Sequence, residues 1–89
     1  MAPEQEAVEG RLVGTITHFF GNISVGIIEL TDTVRVGDTI QIKGATTDFT
    51  QSIASMQVEH EAVEEAAAGQ TIGIKVDERV REGDEVFIV

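Results

Sequence analysis

Nine glycines divide this chain of 89 residues into short runs rich in Val, Ile, Thr and Phe. β-branched and aromatic residues favour strands, and glycine supplies the backbone conformations that tight turns need. Short strands separated by turns at this spacing are typical of β-barrels and β-sandwiches. We therefore predict an all-β fold, and the length leaves room for a single domain.

The clearest strands lie in the first half of the chain. Residues 12–20 and 23–30 are predicted to pair as a hairpin, because Gly21 and Asn22 between them suit a tight turn. Phe19 and Phe20 are adjacent, so on a strand their rings point to opposite sides and one of them is expected at the surface. The segment Thr39-Ile-Gln-Ile-Lys alternates apolar and polar residues, which predicts that its two isoleucines face the core.

The second half is less regular. The apolar phase slips within residues 52–60, and a one-residue bulge near Ala54 would return its apolar side chains to the core, so we predict one kinked strand. Residues 61–68 have helix-forming composition but are too few for a stable helix, so we predict a loop with at most one turn. Residues 71–76 and 85–89 complete the predicted strands.

Residues 34–42 and 80–88 form an internal sequence repeat, in which the order Val-Arg-x-Gly-Asp precedes a strand. We predict that Gly37 and Gly83 occupy equivalent turns with positive φ, each followed by an aspartate that bonds the turn backbone. Such turns occur in folds of every kind, so the repeat indicates a structural role and not a functional one.

Charge and composition limit the partners. Six basic and sixteen acidic residues give a net charge of −10, which repels phosphate backbones, so naked nucleic acid is a poor partner. The chain has no cysteine and no apolar run near the roughly 20 residues that a membrane span needs. Residues 1–9 are acidic where a secretory signal is basic and apolar, and we expect a flexible tail there and a cytoplasmic protein.

Candidate chemical groups are few. His18 and His60 show no metal-ligand spacing, so we predict no metal. No pair of carboxylates stands out by motif, and the acids around residue 60, including Glu61 and Glu64, are expected to form a solvated face. Arg79 and Arg81 are the densest cations with Lys75, but acidic neighbours neutralise them. We predict no catalytic residue, no cofactor and no enzyme activity.

Several segments carry a family resemblance: Gly14-Thr-Ile, Val36-Gly-Asp-Thr-Ile, residues 53–58 and residues 60–74. In this order they resemble the second, β-barrel domain of translational GTPases such as elongation factor Tu, and short free-standing elongation-factor-like proteins. The resemblance covers about residues 12–89. It implies a closed six- or seven-stranded Greek-key-like barrel, here assigned to residues 10–89.

The resemblance carries no GTPase activity, because the chain lacks a glycine-rich loop ending in Gly-Lys-Ser/Thr. Three positions also depart from the family's aminoacyl-tRNA pocket, with Glu59 for a histidine, Thr71 for an asparagine and Val8 for an aromatic residue. These departures argue against aminoacyl-tRNA as a ligand. The candidate binding residues are Glu59, His60, Thr71, Arg79 and Arg81.

The leading functional hypothesis is a non-catalytic, translation-related module that docks on a protein or ribonucleoprotein. One alternative is a tRNA- or ribosome-binding accessory protein, which salt-dependent RNA affinity would reveal. Another is a small enzyme with an unrecognised acidic site, which substrate turnover would reveal.

Overall fold

The computed structural model describes residues 10–89, which form ten strands. The all-β prediction is confirmed, but the predicted count of six or seven strands is wrong. Residues 1–9, for which a flexible tail was predicted, and Val8 within them lie outside the described residues. The strands are β1 (Arg11–Phe20), β2 (Val25–Leu30), β3 (Val34–Arg35), β4 (Thr39–Lys43), β5 (Asp48–Ser52), β6 (Met56–Val58), β7 (Glu61–Val63), β8 (Glu65–Ala66), β9 (Thr71–Lys75) and β10 (Glu85–Ile88).

Eight strands form one curled antiparallel sheet in the order β5-β4-β10-β1-β2-β9-β6-β7, and β3 pairs with β8 separately. Strands β5 and β7 lie at the two edges and do not pair with each other, so the sheet is a half-barrel. The prediction of a closed barrel is therefore wrong. Residues 10–89 contain no helix with the length and hydropathy that a transmembrane span requires.

The turn after β3 bridges the two edges of the sheet instead of a closing strand pair. The N–H of Val36 donates to the carbonyl of Glu64 at 2.9 Å, and the N–H of Gly37 donates to the carbonyl of Ile53 at 2.8 Å. Ile53 in turn donates to the carbonyl of Asp38 at 2.9 Å. Backbone groups at both edges thus find partners in a loop, which is why the sheet curls without closing.

A buried glutamine also holds the curl. Gln51 on β5 is 9% exposed, and its Nε2 donates to the carbonyl of Lys75 at 2.9 Å. Its Oε1 accepts from the N–H of Asp77 at 2.8 Å. One side chain therefore connects an edge strand to the end of β9, which is not its neighbour in the sheet.

The core lies inside the curl and follows the alternation of the strands. The two isoleucines of β4 face inward as predicted, and in β9 the isoleucines at 72 and 74 are buried while Gly73 faces outward. Burial of aliphatic side chains is the main stabilising contribution in such a domain. The largest buried side chains are Ile16, Ile28, Ile40, Ile42, Met56, Ile72, Ile74, Val13, Val34, Val80 and Val86.

Residues 52–60 do not form the single kinked strand that was predicted. Strand β5 ends at Ser52 and β6 begins at Met56, and these two strands lie near opposite edges of the sheet. The hydrogen bonds of Ile53 with the turn after β3 draw the chain out of the ladder between them. The apolar phase slip therefore marks a crossing between edges and not a bulge.

Residues 61–68 were predicted as a loop with at most one turn, and this is also wrong. They contain β7, which pairs with β6, and β8, which pairs with β3. Ala66 is 2% exposed and joins the core. Tertiary pairing therefore outweighs the helix-forming composition of this segment.

The predicted pair of equivalent turns is confirmed. Gly37 and Gly83 have φ of 98° and 94°, values that favour glycine. Asp38 Oδ2 accepts a 2.9 Å hydrogen bond from the N–H three residues earlier, and Asp84 Oδ2 does the same. Each aspartate thus closes the turn that launches β4 or β10.

Candidate functional site

A groove of about 550 Å³ lies on the outer face of β2, β9 and β6. Its floor contains Val25 and Ile27, the outward-facing residues of β2, both half-buried. Gly73 pairs with Ile27 on one side and with Gln57 on the other. Because it has no side chain, the side chains of Ile27 and Val25 lie over it, 3.3 Å and 3.5 Å from where a Cβ would be. The inner faces of the same strands build the core, so the groove forms without opening it.

The β1–β2 turn contributes the most exposed apolar side chains of the groove. Phe20 is 45% exposed and Ile23 is 57% exposed, and both line it. Phe20 pairs with Val25, which places its ring beside the floor. Phe19 is half-buried against the core, which confirms that one of the two adjacent rings reaches the surface. Exposed aromatic and aliphatic groups around a depression are typical of binding surfaces.

The β6–β7 turn forms the opposite side of the groove. Only Glu59 and His60 separate the two strands, and their φ values are 52° and 69°. Two consecutive positive φ values match a type I′ hairpin turn, which normally takes Asn-Gly. Left-handed backbone at a non-glycine residue costs on the order of 1 kcal/mol or more, and such strain clusters at functional sites.

The structure brings together three of the five residues that the sequence put forward. Glu59, His60 and Thr71 all line the groove. Arg79 lies in a separate, smaller groove, and Arg81 lines neither, its N–H donating to Asp84. The binding roles assigned to these residues stay predictions.

The apolar part of the groove was not predicted from the sequence. Its floor comes from the outward positions of β2 and from Gly73, which alternation alone assigns to solvent. The one usable signal was the Phe19-Phe20 pair, which required one ring at the surface. Residues this far apart in sequence meet only through the strand order.

One acidic and one basic side chain line the groove, Glu59 and Lys75, and further acids lie along the neighbouring edge strand. Glu59, Glu61 and Glu64 are exposed, and none lies within ion-pair distance of a cation in the part of the chain that the structure describes. Lys75 is the one cation that lines the groove. The predicted solvated face is thus present, except that Glu65 pairs with Arg35 at 3.2 Å.

The two histidines have different surroundings. His18 Nδ1 lies 3.4 Å from Glu82 Oε2 and 2.9 Å from the carbonyl oxygen of Thr17, whereas His60 occupies the strained turn. Across residues 10–89, His, Asp and Glu form no group of three that could hold a metal ion.

The curated proteins that this chain resembles are named as a protease and a collagenase. No protein-family model matches the chain. It is 40% identical over 78 residues to an uncharacterized protease of Methanocaldococcus jannaschii, covering 86% of this chain and 19% of that protein. It is 34% identical over 77 residues to a collagenase of Porphyromonas gingivalis, covering 84% of this chain and 21% of that protein. The chain thus spans about a fifth of the length of the curated relatives it matches.

Solved structures identify the fold. The C-terminal domain of a Geobacillus thermoleovorans protein described as a U32 peptidase superposes with a TM-score of 0.83 at 18% identity. That match covers 86% of this chain and 98% of the crystallised domain. A second crystal structure of the same domain gives a TM-score of 0.84 at 17% identity.

These comparisons overturn the resemblance to translational GTPases. The relatives are named as proteases, so the expected translation-related docking module and its tRNA- or ribosome-binding alternative are wrong, and the small acidic enzyme finds no match either. The misleading segments were Gly-Asp turns and short alternating strands, which unrelated β-folds share. The chain has the fold of a U32 peptidase C-terminal domain, and its sequence is similar to about a fifth of proteins named as proteases.

Proposed function

We propose that this chain is an accessory β-domain of a U32-type peptidase, which supports peptide-bond cleavage by binding and leaves the cleavage to another part of the enzyme. One observation carries the proposal: the chain corresponds to 98% of a crystallised C-terminal domain but to only 19% to 21% of the full-length proteases it resembles. A module that matches one domain of a larger enzyme is expected to perform part of its task.

The placement of polar side chains supports an accessory role. Peptide hydrolysis needs a nucleophile or activated water next to a general base. The buried polar side chains with described partners serve the backbone instead: Gln51 connects two strands and Asp84 closes a turn. The groove offers apolar contact area, which is suited to holding a chain and not to cutting it.

A domain exchange tests the proposal. The matched fifth of the P. gingivalis collagenase is deleted in one variant and replaced by this chain in another, and gelatin hydrolysis is measured for both. We expect the deletion to lower the rate and the replacement to restore most of it, while this chain alone cleaves no gelatin.

Two results would contradict the accessory role. The first is a replacement variant that is folded and no more active than the deletion variant. The second is gelatin cleavage by the purified chain that survives repeated chromatography and comigrates with it. Circular dichroism of the replacement variant separates loss of function from loss of folding.

A further inference from the structure

We propose that the outer groove of β2, β9 and β6 binds an extended polypeptide segment that carries large apolar side chains and basic side chains. The inference deepens the proposed function, on which it rests for its setting, by naming the class of ligand. It uses the apolar floor, the charge around it and the open shape of the site.

The floor selects for apolar groups. Val25 and Ile27, whose side chains lie over Gly73, present an aliphatic surface, and Phe20 and Ile23 extend it along one side. A groove of about 550 Å³ lies within the usual range for sites that bury a ligand. Large apolar side chains of a partner gain most of their binding free energy by leaving water at such a surface.

Charge complementarity selects for a basic partner. Glu59 lies in the turn on the groove's other side, and Glu61 and Glu64 follow it at the exposed edge of the sheet, where no cation of the described chain pairs with them. Within the lining Glu59 and Lys75 balance each other, so the sign of the field comes from these edge carboxylates and from the net charge of −10 of the whole chain. Lysine or arginine side chains are attracted to this field, whereas acidic segments are repelled.

The shape favours an extended segment. In the sheet order, Phe20 on β1 and the Glu59–His60 turn after β6 lie on opposite sides of β2 and β9. A segment that contacts both must therefore span three strand spacings, from β1 to β6, about 14 Å. An extended backbone of about four to five residues covers that distance and can present apolar and basic side chains alternately.

The test is a titration of the chain with a fluorescein-labelled peptide in which leucine and arginine alternate with glycine and serine. A second peptide carries glutamate in place of arginine, and a third carries serine in place of leucine. Fluorescence anisotropy at low and physiological salt measures the dissociation constants. We expect the first peptide to bind at least about tenfold more tightly than either of the others, and salt to weaken it.

Substitutions in the chain test whether the peptide binds in the groove. In Gly73→Val the new Cβ meets Ile27 Cδ1 at 3.3 Å and Val25 Cγ1 at 3.5 Å, so these two floor side chains must shift, and circular dichroism checks that the variant is folded. We expect this change to weaken binding about tenfold or more, while Thr50→Val on the outward face of β5 has no effect. Lys75→Glu should tighten binding of the arginine peptide by about 2- to 10-fold.

A charge-matched pair of variants separates local from overall charge. Glu59→Gln with Glu61→Gln removes two negative charges beside the groove, and Glu82→Gln with Glu85→Gln removes two elsewhere. We expect the first pair to weaken binding about 2- to 10-fold and the second to change it less than about twofold.

Several outcomes overturn the proposal. The first is equal binding of the arginine and glutamate peptides. The second is peptide binding that neither Gly73→Val nor Lys75→Glu changes. The third is concentration-dependent dimers that Gly73→Val abolishes, which would make a second copy of the chain the occupant of the groove. If the domain exchange restores gelatin hydrolysis while the peptide results are negative, only the ligand assignment fails. If the peptides bind as expected and the exchange does not restore hydrolysis, only the accessory role fails.

Discussion

The carboxylate of Asp84 fills the space in which a side chain at Gly44 would lie, so that a Cβ there would overlap Oδ1. Asp84 is 4% exposed, and its Oδ2 accepts a 2.9 Å hydrogen bond from the N–H of Arg81. The close approach holds the turn before β10 against the chain that leaves β4, its partner in the sheet. This contact fixes how two neighbouring strands begin and end.

Gly44→Ala is therefore expected to lower the free energy of unfolding by about 2 to 3 kcal/mol, because the carboxylate must move and leave the Arg81 N–H without its acceptor. Urea denaturation measures the change. Gly21→Ala is the control, since a Cβ there meets only a Phe19 ring atom at 3.5 Å. A cost for Gly44→Ala that is unchanged in an Asp84→Ala background would contradict the mechanism.

Gln51→Ala should destabilise the domain by about 2 to 4 kcal/mol, because two backbone groups near the end of β9 lose their partner in a buried position. The matched control is Gln41→Ala, which removes only an exposed 3.0 Å hydrogen bond to Asp48 and should cost less than about 1 kcal/mol. Thermal unfolding of the two variants side by side makes the comparison. Equal losses would show that Gln51 does not hold the curl.

Gly37→Ala and Gly83→Ala should each cost about 1 to 2 kcal/mol, and the two costs should agree within about 0.5 kcal/mol. At both positions φ is positive and no atom lies within 4 Å of the added Cβ, so backbone strain is the whole effect. Asparagine tolerates this conformation better, and Gly37→Asn should cost less than Gly37→Ala. An asparagine variant as unstable as the alanine variant would argue against backbone strain.

Replacing Glu59 by Asn and His60 by Gly should raise the free energy of unfolding by about 1 to 2 kcal/mol, because Asn-Gly suits the type I′ turn. Chemical denaturation gives the value. Glu61→Asn, at the first residue of β7, serves as the control and should not stabilise. The turn is not strained if the double variant is no more stable than the parent.

Local signals were sufficient for much of the fold. The alternation in β4 correctly predicted that Ile40 and Ile42 face inward, and the Val-Arg-x-Gly-Asp repeat correctly predicted two equivalent turns. Both depend on backbone geometry within a few residues, where side-chain size and φ decide the outcome. The same local character explains the mistaken family, since turns and alternation are shared by unrelated β-domains.

The sequence predicted only part of the candidate site. Glu59 and Thr71 were chosen by alignment to the pocket of a family that the comparisons overturn, and they nevertheless line one groove together with His60. Gly73 and Ile27, which shape its floor, carried no signal, because an outward position on a strand is normally solvated. What makes them a floor is their neighbours in the sheet.

The sequence by itself determined the β class, the inward faces of the regular strands and the position of the glycine turns. Only the tertiary structure decided that the chain crosses from one edge to the other at Ile53, that residues 61–63 and 65–66 become strands, and that the sheet stays open. The reason is that many strand orders satisfy the same alternation. The choice among them depends on contacts between distant residues, such as those of Gln51 with Lys75 and Asp77, which no local pattern encodes.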